Sequence, residues 1–389
     1  MSEPADPVTR AVRAGLESCD VTGAVVPPLH LSATYAFRGY GQKRAYDYSR
    51  SGNPTRDLLC AALSELEGGA GSVVTGSGMG AVTLCLQILP PHPRLIAPHD
   101  CYGGTYRLFD ALHRRGDLQV DFVDFGNEAA LRAALSRPAA MLWIETPSNP
   151  LLRLTDIAAL AAGGRAAGAL IVVDNTFLSP AWQQPLRLGA DLVVHSTTKY
   201  INGHSDVVGG AVIAARAELH ERLGWWANCL GLTGSAFDSF MTLRGLRTLH
   251  ARLAVHARNA QQLAEWLVQQ RAVSRVFYPG LPAHPGHEIA RRQQSGFGAI
   301  VTFELAGGTP AVKAFLAGLE YFSLAESLGG VESLVAHPAS MTHAAMPETA
   351  RRAAGLTDGL LRLSVGIEAY EDLQADLAAG LARIGAASK

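Results

Sequence analysis

Lysine is what this chain has least of among its charged residues. Only Lys43, Lys199, Lys313 and Lys389 occur in 389 residues, and arginine supplies the rest of the positive charge. Lys43 lies in a polar loop, Lys313 in the amphipathic run PAVKAFLAGL, and Lys389 is the last residue. Lys199 alone follows a buried-looking apolar strand, so chemistry that needs a lysine amine has one candidate. Cysteine is also sparse: Cys19, Cys60, Cys85, Cys101 and Cys229 are odd in number, with no CxxC pair. That excludes a disulfide framework and suits free thiols in a reducing, cytoplasmic setting. No apolar run reaches the ~20 residues of a membrane span, and the first residues lack the basic-then-apolar order of a secretory signal. No membrane partner is expected. Charge of one sign is lacking too: 33 Lys and Arg face 34 Asp and Glu, a net charge of −1. Nucleic acid as a main partner is thereby disfavoured. The thirteen histidines show no ligand spacing (His284 and His287 share a Pro/Gly-rich loop), so no metal is expected.

What is present describes a well-packed α/β protein. Hydrophobic residues make up 48% and charged residues 17% of a chain too long for one comfortable core. Residues 1–57 carry many turn formers and read as an extended arm. From Asp57 a helical pattern (RDLLCAALSELEGG) leads into short apolar strands separated by helices: GSVVTG, RLIAP, VDFVDF, AMLWIE, LIVVDN, LVVHS and VVGGAVIA. Near-continuous Val/Ile/Leu runs mark parallel strands covered on both faces. The spacing predicts a doubly wound domain over residues 58–256, closed by one long helical stretch from Thr242 to Gln270. Beyond it RVFYPG, AIVTFEL and LLRLSVGIE alternate apolar with polar positions. They predict a half-exposed antiparallel sheet within a smaller α+β domain, residues 257–389.

Three places could carry chemistry. Thr75-Gly76-Ser77-Gly78-Met79-Gly80-Ala81 stands between a strand and a helix, where glycines and a helix N-terminus suit an anion. The same segment fits the dinucleotide pattern G-x-G-x-x-A, with Asp100 about twenty residues on, so a nicotinamide oxidoreductase is a competing reading. Asp174 ends the strand LIVVDN, where α/β sheets place ligand-binding groups. Taken alone it could equally be a turn former or a helix cap. His195-Ser196-Thr197-Thr198-Lys199-Tyr200 ends the next strand, and a lysine there is ordinarily a solvated side chain. The combination decides between these readings. Pyridoxal phosphate needs a lysine for its imine, an anion-binding loop with hydroxyls, and a carboxylate to keep the pyridine nitrogen protonated. Lys199, Ser77 with Ser196 and Thr198, and Asp174 answer all three, whereas a nicotinamide enzyme needs neither the lysine nor the acid.

At these residues the sequence resembles the Cys/Met-metabolism pyridoxal-phosphate enzymes. The likeness runs in order through Tyr48-Ser49-Arg50 with GNPTR, SGMGA, DCYGGTYRLF, ETPSNP, VVDNTF, HSTTKYINGHSDVVGG, TLRGLRTL, AESLGGVES and LRLSVGIE. It implies an aspartate-aminotransferase-like fold of type I: a large, mostly parallel sheet domain plus a smaller C-terminal α+β domain, assembled as a homotetramer of tight dimers. It also implies roles. Lys199 would hold the cofactor and shuttle protons, Asp174 face the pyridine nitrogen, and Tyr102 stack on the ring. Gly78, Met79, Ser196 and Thr198 would form the phosphate cup, with Tyr48 and Arg50 reaching in from a neighbouring subunit. Arg362 and Asn149 would clamp the substrate α-carboxylate, and Ser327 would lie beside them.

Within the family, Glu326 in LAESLGG resembles members that act at a γ-carbon. Gly104 stands where methionine γ-lyases resemble one another in having cysteine. Asp47, the DCYGGTYRLFDAL segment and Trp225-Trp226 are similar to bacterial γ-synthases. Ser51 departs from a second arginine found there, which leaves Arg107 to meet a distal carboxylate. The resemblance therefore implies γ-replacement, in which an O-acylhomoserine (succinyl or acetyl) and L-cysteine give L-cystathionine. Cystathionine γ-cleavage and O-acetylhomoserine sulfhydrylation are the alternatives.

Overall fold

A computed structural model describes residues 5–342, 344, 351 and 354–387, so Lys389 lies outside the described residues. The apolar runs become a seven-stranded sheet: β1 Gly71–Thr75, β2 Arg94–Pro98, β3 Gln119–Val123, β4 Met141–Glu145, β5 Leu170–Asp174, β6 Leu192–His195 and β7 Gly210–Ala214. Its order is β1-β7-β6-β5-β4-β2-β3, with β7 antiparallel to both neighbours and the remaining pairs parallel. Strands β1, β4, β6 and β7 are buried along their whole length, because helices cover both faces.

The helix Pro54–Glu67 begins three residues before the apolar pattern suggests. Asn53 caps it, its side-chain oxygen accepting from the N–H groups of Thr55 and Arg56, and Pro54 fills the first turn, where a missing N–H costs nothing. The long stretch predicted from Thr242 breaks into two helices, Ala236–Leu246 and Leu249–Val268. Gly245 explains the break: a Cβ there would sit 2.1 Å from the Asn202 carbonyl oxygen, so backbone meets backbone at the joint. The Gly245 carbonyl turns instead to Thr248 Oγ1 (3.0 Å) and Arg252 Nη2 (2.9 Å). Helix Leu249–Val268 then runs continuously past residue 256. It touches the large domain through Arg252 on the Ile201 carbonyl and the second sheet through Asn259 on the Gly366 carbonyl.

The second sheet holds β8 Val273–Phe277, β9 Ile300–Leu305, β10 Ser323–Leu324, β11 Leu334–Ala336 and β12 Leu360–Ser364, in the order β10-β11-β12-β9-β8. It is antiparallel except for the pair β10–β11. The half-exposed face expected from the alternation is absent from its centre, since β12 is buried throughout and β9 nearly so. At Thr302 and Arg362 the polar positions face the large domain rather than water. Thr302 donates to the Pro150 carbonyl at 2.6 Å, and its cross-strand neighbour Arg362 is 3% exposed.

Candidate functional site

The carboxyl ends of β4, β5 and β6 open on a cavity of about 460 Å³. Residues i and i+2 of a strand share a face, and so Asp174 and Thr176 with Val194, Ser196 and Thr198 line the cavity, while Asn175, His195 and Thr197 point behind the sheet. The helix Gly78–Gln87 starts at one wall. Ser77 caps it by accepting from the Gly80 N–H at 3.0 Å, which leaves the N–H groups of Gly78 and Met79 outside the helical ladder. Ser196 and Thr198 also line the cavity, the Thr198 hydroxyl accepting from the Gly209 N–H at 2.9 Å.

Lys199 lies just beyond β6, where its Nζ donates to Ser327 Oγ at 2.9 Å. Burial and the charge of Arg362 pull its amine down to about 8, against the pull of Glu326. Arg362 projects from β12, donating to Asn149 Oδ1 and to the Ser327 carbonyl, each at 2.8 Å. Its Nε is buried with no protein partner. One serine thus touches both the amine and the guanidinium, and Ser327 pays for that with φ +137°, a backbone region that side chains avoid.

Tyr102 stands at the start of helix Gly103–Arg115, 43% exposed, with its ring at the cavity. Gly104 has a local reason: a Cβ there would lie 2.5 Å from Tyr102 Cε1 and 3.0 Å from Met79 Sδ, so a larger residue displaces the ring.

Glu145 was not singled out by sequence reasoning, although it ends β4 as Asp174 ends β5 and is paired with it in register. Its Oε2 accepts from the Tyr102 N–H at 2.7 Å. Burial, then the neighbouring Asp174 charge, push its carboxyl well above the usual range. Burial raises Asp174 too, opposed by the Thr176 N–H at 3.0 Å and by His195. Thr105 was also overlooked; its buried hydroxyl lines the same wall without a partner.

The structure brings together Lys199, Asp174, Tyr102, Gly78, Met79, Ser196, Thr198, Asn149, Glu326, Ser327 and Arg362. Four predicted residues lie elsewhere in the single chain. Tyr48 and Arg50 line a separate cavity of about 450 Å³, where Arg50 Nη1 donates to the Asn228 carbonyl at 3.2 Å. Asp47 pairs with Lys43 at 2.8 Å and accepts from Ser51 Oγ at 2.9 Å, contacts that hold its carboxyl down at about 2. Arg107 is exposed on the second turn of helix Gly103–Arg115.

An amine of lowered pKa, a strand-end carboxylate, a helix N-terminus with flanking hydroxyls and a guanidinium in one cavity make the donor set of a pyridoxal-phosphate site. Lys199, Asp174, Gly78 and Met79 line one cavity, and the chemistry of that donor set suits the ring and phosphate of that cofactor. The chain belongs to the Cys/Met metabolism PLP-dependent enzymes, whose family pattern it matches over residues 8–382. It is therefore a pyridoxal-phosphate enzyme.

Its relatives narrow the comparison. It is 57% identical to the cystathionine γ-synthase of Escherichia coli K12 over 373 residues, 96% of this chain and 97% of that one. It superposes on the cystathionine γ-synthase of Xanthomonas oryzae pv. oryzae, solved with aminoacrylate and cysteine, with a TM-score of 0.97 and 60% identity over 99% and 100% of the two chains. A cystathionine β-lyase of Coxiella burnetii is 46% identical over 96% of this chain and 97% of its own. Among the described residues no helix is long and apolar enough to cross a membrane.

Proposed function

We propose that this enzyme carries out γ-replacement, joining an O-acylhomoserine and L-cysteine into L-cystathionine, in the cytoplasm. The observation that carries the reading is the Lys199–Ser327–Arg362 chain, which sets one lowered-pKa amine beside a buried guanidinium whose Nε awaits an acceptor. A substrate α-carboxylate there would accept from Arg362 and Asn149, a geometry that presents Cα to Lys199. When bound, the cofactor supplies an electron sink for charge developing at Cα. Lys199 takes the Cα proton, a Cβ proton leaves next, the acyloxy group then departs from Cγ as a carboxylate, the cysteine thiolate bonds there, and protons return to Cβ and Cα. A flexible lysine stem reaches successive carbons, and an amine near pH 8 exchanges protons readily. Asp174 would keep the pyridine nitrogen protonated, Tyr102 would cover the ring, and Gly78, Met79, Ser196 and Thr198 would hold the phosphate. Glu326 lines the cavity beside Ser327 and faces the γ-substituent.

The similarity to γ-synthases supports γ-chemistry over β-cleavage. Tyr48 and Arg50, outside the single-chain site, complete a neighbour's phosphate cup in a homotetramer with shared sites. The 1–57 arm carries them there together with Asp47, and Arg107 meets the far carboxylate of a succinyl ester. Product analysis with O-succinylhomoserine tests the reading. With L-cysteine present, cystathionine forms faster than it is cleaved. Dominant release of α-ketobutyrate from cystathionine would instead make the enzyme a γ-lyase.

A further inference from the structure

Behind the sheet, on the face away from the cavity, lies a polar cluster with no role in the reaction above. Glu67 is the last residue of helix Pro54–Glu67 and is fully buried. Its Oε1 meets His195 Nε2 at 2.6 Å and accepts from Asn175 Nδ2 at 3.0 Å. Gln183 completes the cluster: its Nε2 donates to Asn175 Oδ1 at 3.0 Å, and its carbonyl accepts from Asn175 Nδ2 at 2.8 Å.

Two costs show that this is no idle contact. A carboxylate at a helix C-terminus opposes the helix dipole. Glu67 Oε2 and His195 Nδ1 are moreover buried without partners, and each such atom is costly to bury. What the arrangement gains is position. Asn175 follows Asp174 and His195 precedes Ser196, so one carboxylate ties together the ends of β5 and β6 immediately beside the residues that line the cavity. We propose that Glu67, acting through His195 and Asn175, is a positioning residue that fixes the spacing of Asp174 against the Ser196–Lys199 segment from the far side of the sheet.

A charge effect accompanies the spacing. Glu145 on β4, Lys199, Glu326 and Arg362 share the cavity with Asp174, and His195 lies behind it. His195, paired with Glu67, favours the Asp174 charge. Once the Glu67 charge no longer supports the pair, His195 no longer favours the Asp174 charge, and Asp174 is protonated at a higher pH.

The inference rests on Asp174 and Lys199 as cofactor contacts, and its test uses cofactor binding without substrate, so it stands or falls apart from γ-replacement. Apoenzymes of the wild type, Glu67→Gln and Glu67→Ala are titrated with pyridoxal 5'-phosphate between about pH 5.5 and 8.5. Glu67→Gln keeps the shape and loses the charge: its affinity matches wild type at the alkaline end, and the acid-side fall in affinity moves to higher pH. Glu67→Ala loses both, and binds at least about tenfold more weakly throughout. A uniform, pH-independent loss in both variants means mere destabilisation and overturns the proposal, as does wild-type binding in either. If Glu67→Ala does not fold, the pH profile of Glu67→Gln decides alone.

Discussion

Lys199 and Arg362 lie within one serine of each other, yet their substitutions have separable consequences. Borohydride reduction of the yellow holoenzyme followed by peptide mapping is expected to place the label on Lys199 alone. Label on Lys43 or Lys313 instead would refute the assignment. In the apoenzyme the attacking species is the neutral amine. Burial has lowered Lys199 to about 8, so the rate of cofactor attachment rises with pH through that value and levels above it. An attachment rate still climbing at about pH 10, the range of an ordinary lysine, would show that burial does not tune this amine. Arg362→Lys keeps a charge but loses the fork that spans Asn149 Oδ1 and the Ser327 carbonyl. Its kcat/KM should fall on the order of a hundredfold while the cofactor band stays near wild type. Loss of the band would put Arg362 in the cofactor site rather than the substrate clamp.

At the scale of elements, the entry to helix Pro54–Glu67 joins two tasks in one side chain. Asn53 Oδ1 caps the helix, while Nδ2 donates to the His30 carbonyl (2.9 Å), Tyr35 Oη (3.2 Å) and Ser49 Oγ (3.2 Å), which anchors the arm. Asn53→Asp preserves the cap and removes the donors; Asn53→Ala removes both. Hydrogen exchange should therefore speed up across residues 30–49 in both variants. Only the alanine variant should lose the further ~1 kcal/mol of a missing cap in denaturant unfolding. Equal protection of the arm in wild type and Asn53→Asp would show that Asn53 does not hold it. Asn53-Pro54 carried a start signal that the apolar pattern, beginning at Asp57, passed over. The break at Arg247-Thr248 was not legible, because periodicity registers an apolar face but not the Asn202 carbonyl pressed against Gly245.

For the whole molecule, the question is where Tyr48 and Arg50 act. In one chain they face Arg56, Ser235 and Phe237, away from Lys199. Exposed apolar residues cluster on the same arm, among them Val21 at 93% and Leu31 at 68%. Such a surface asks for a second copy. Inactive Lys199→Ala and Arg50→Ala subunits, dissociated and reassembled in equal amounts, should recover about a quarter of wild-type activity, since half the dimers are hybrids with one intact site. No recovery in preparations shown to contain hybrids would place both groups in one chain's site.

The sequence alone determined the class of chemistry. Lysine was so scarce that one position could supply the amine, and apolar runs of strand length bounded by turn formers located the large sheet's strands and the ends at which Asp174 and Lys199 stand. Tertiary structure decided what those patterns do not encode. Alternation of polar and apolar residues in β9 and β12 predicted a wet face, but a strand's period registers only that two faces differ, and here the polar one is buried against the large domain. Glu145 carried the same strand-end signal as Asp174. Its pairing in register, its bond to the Tyr102 N–H and the charge penalty that Asp174 places on it appear only once β4 lies beside β5. Glu67 and His195, 128 residues apart in the chain, meet only because the helix that ends at Glu67 packs behind the strand that ends at His195, and contacts between residues so far apart leave no local pattern to read.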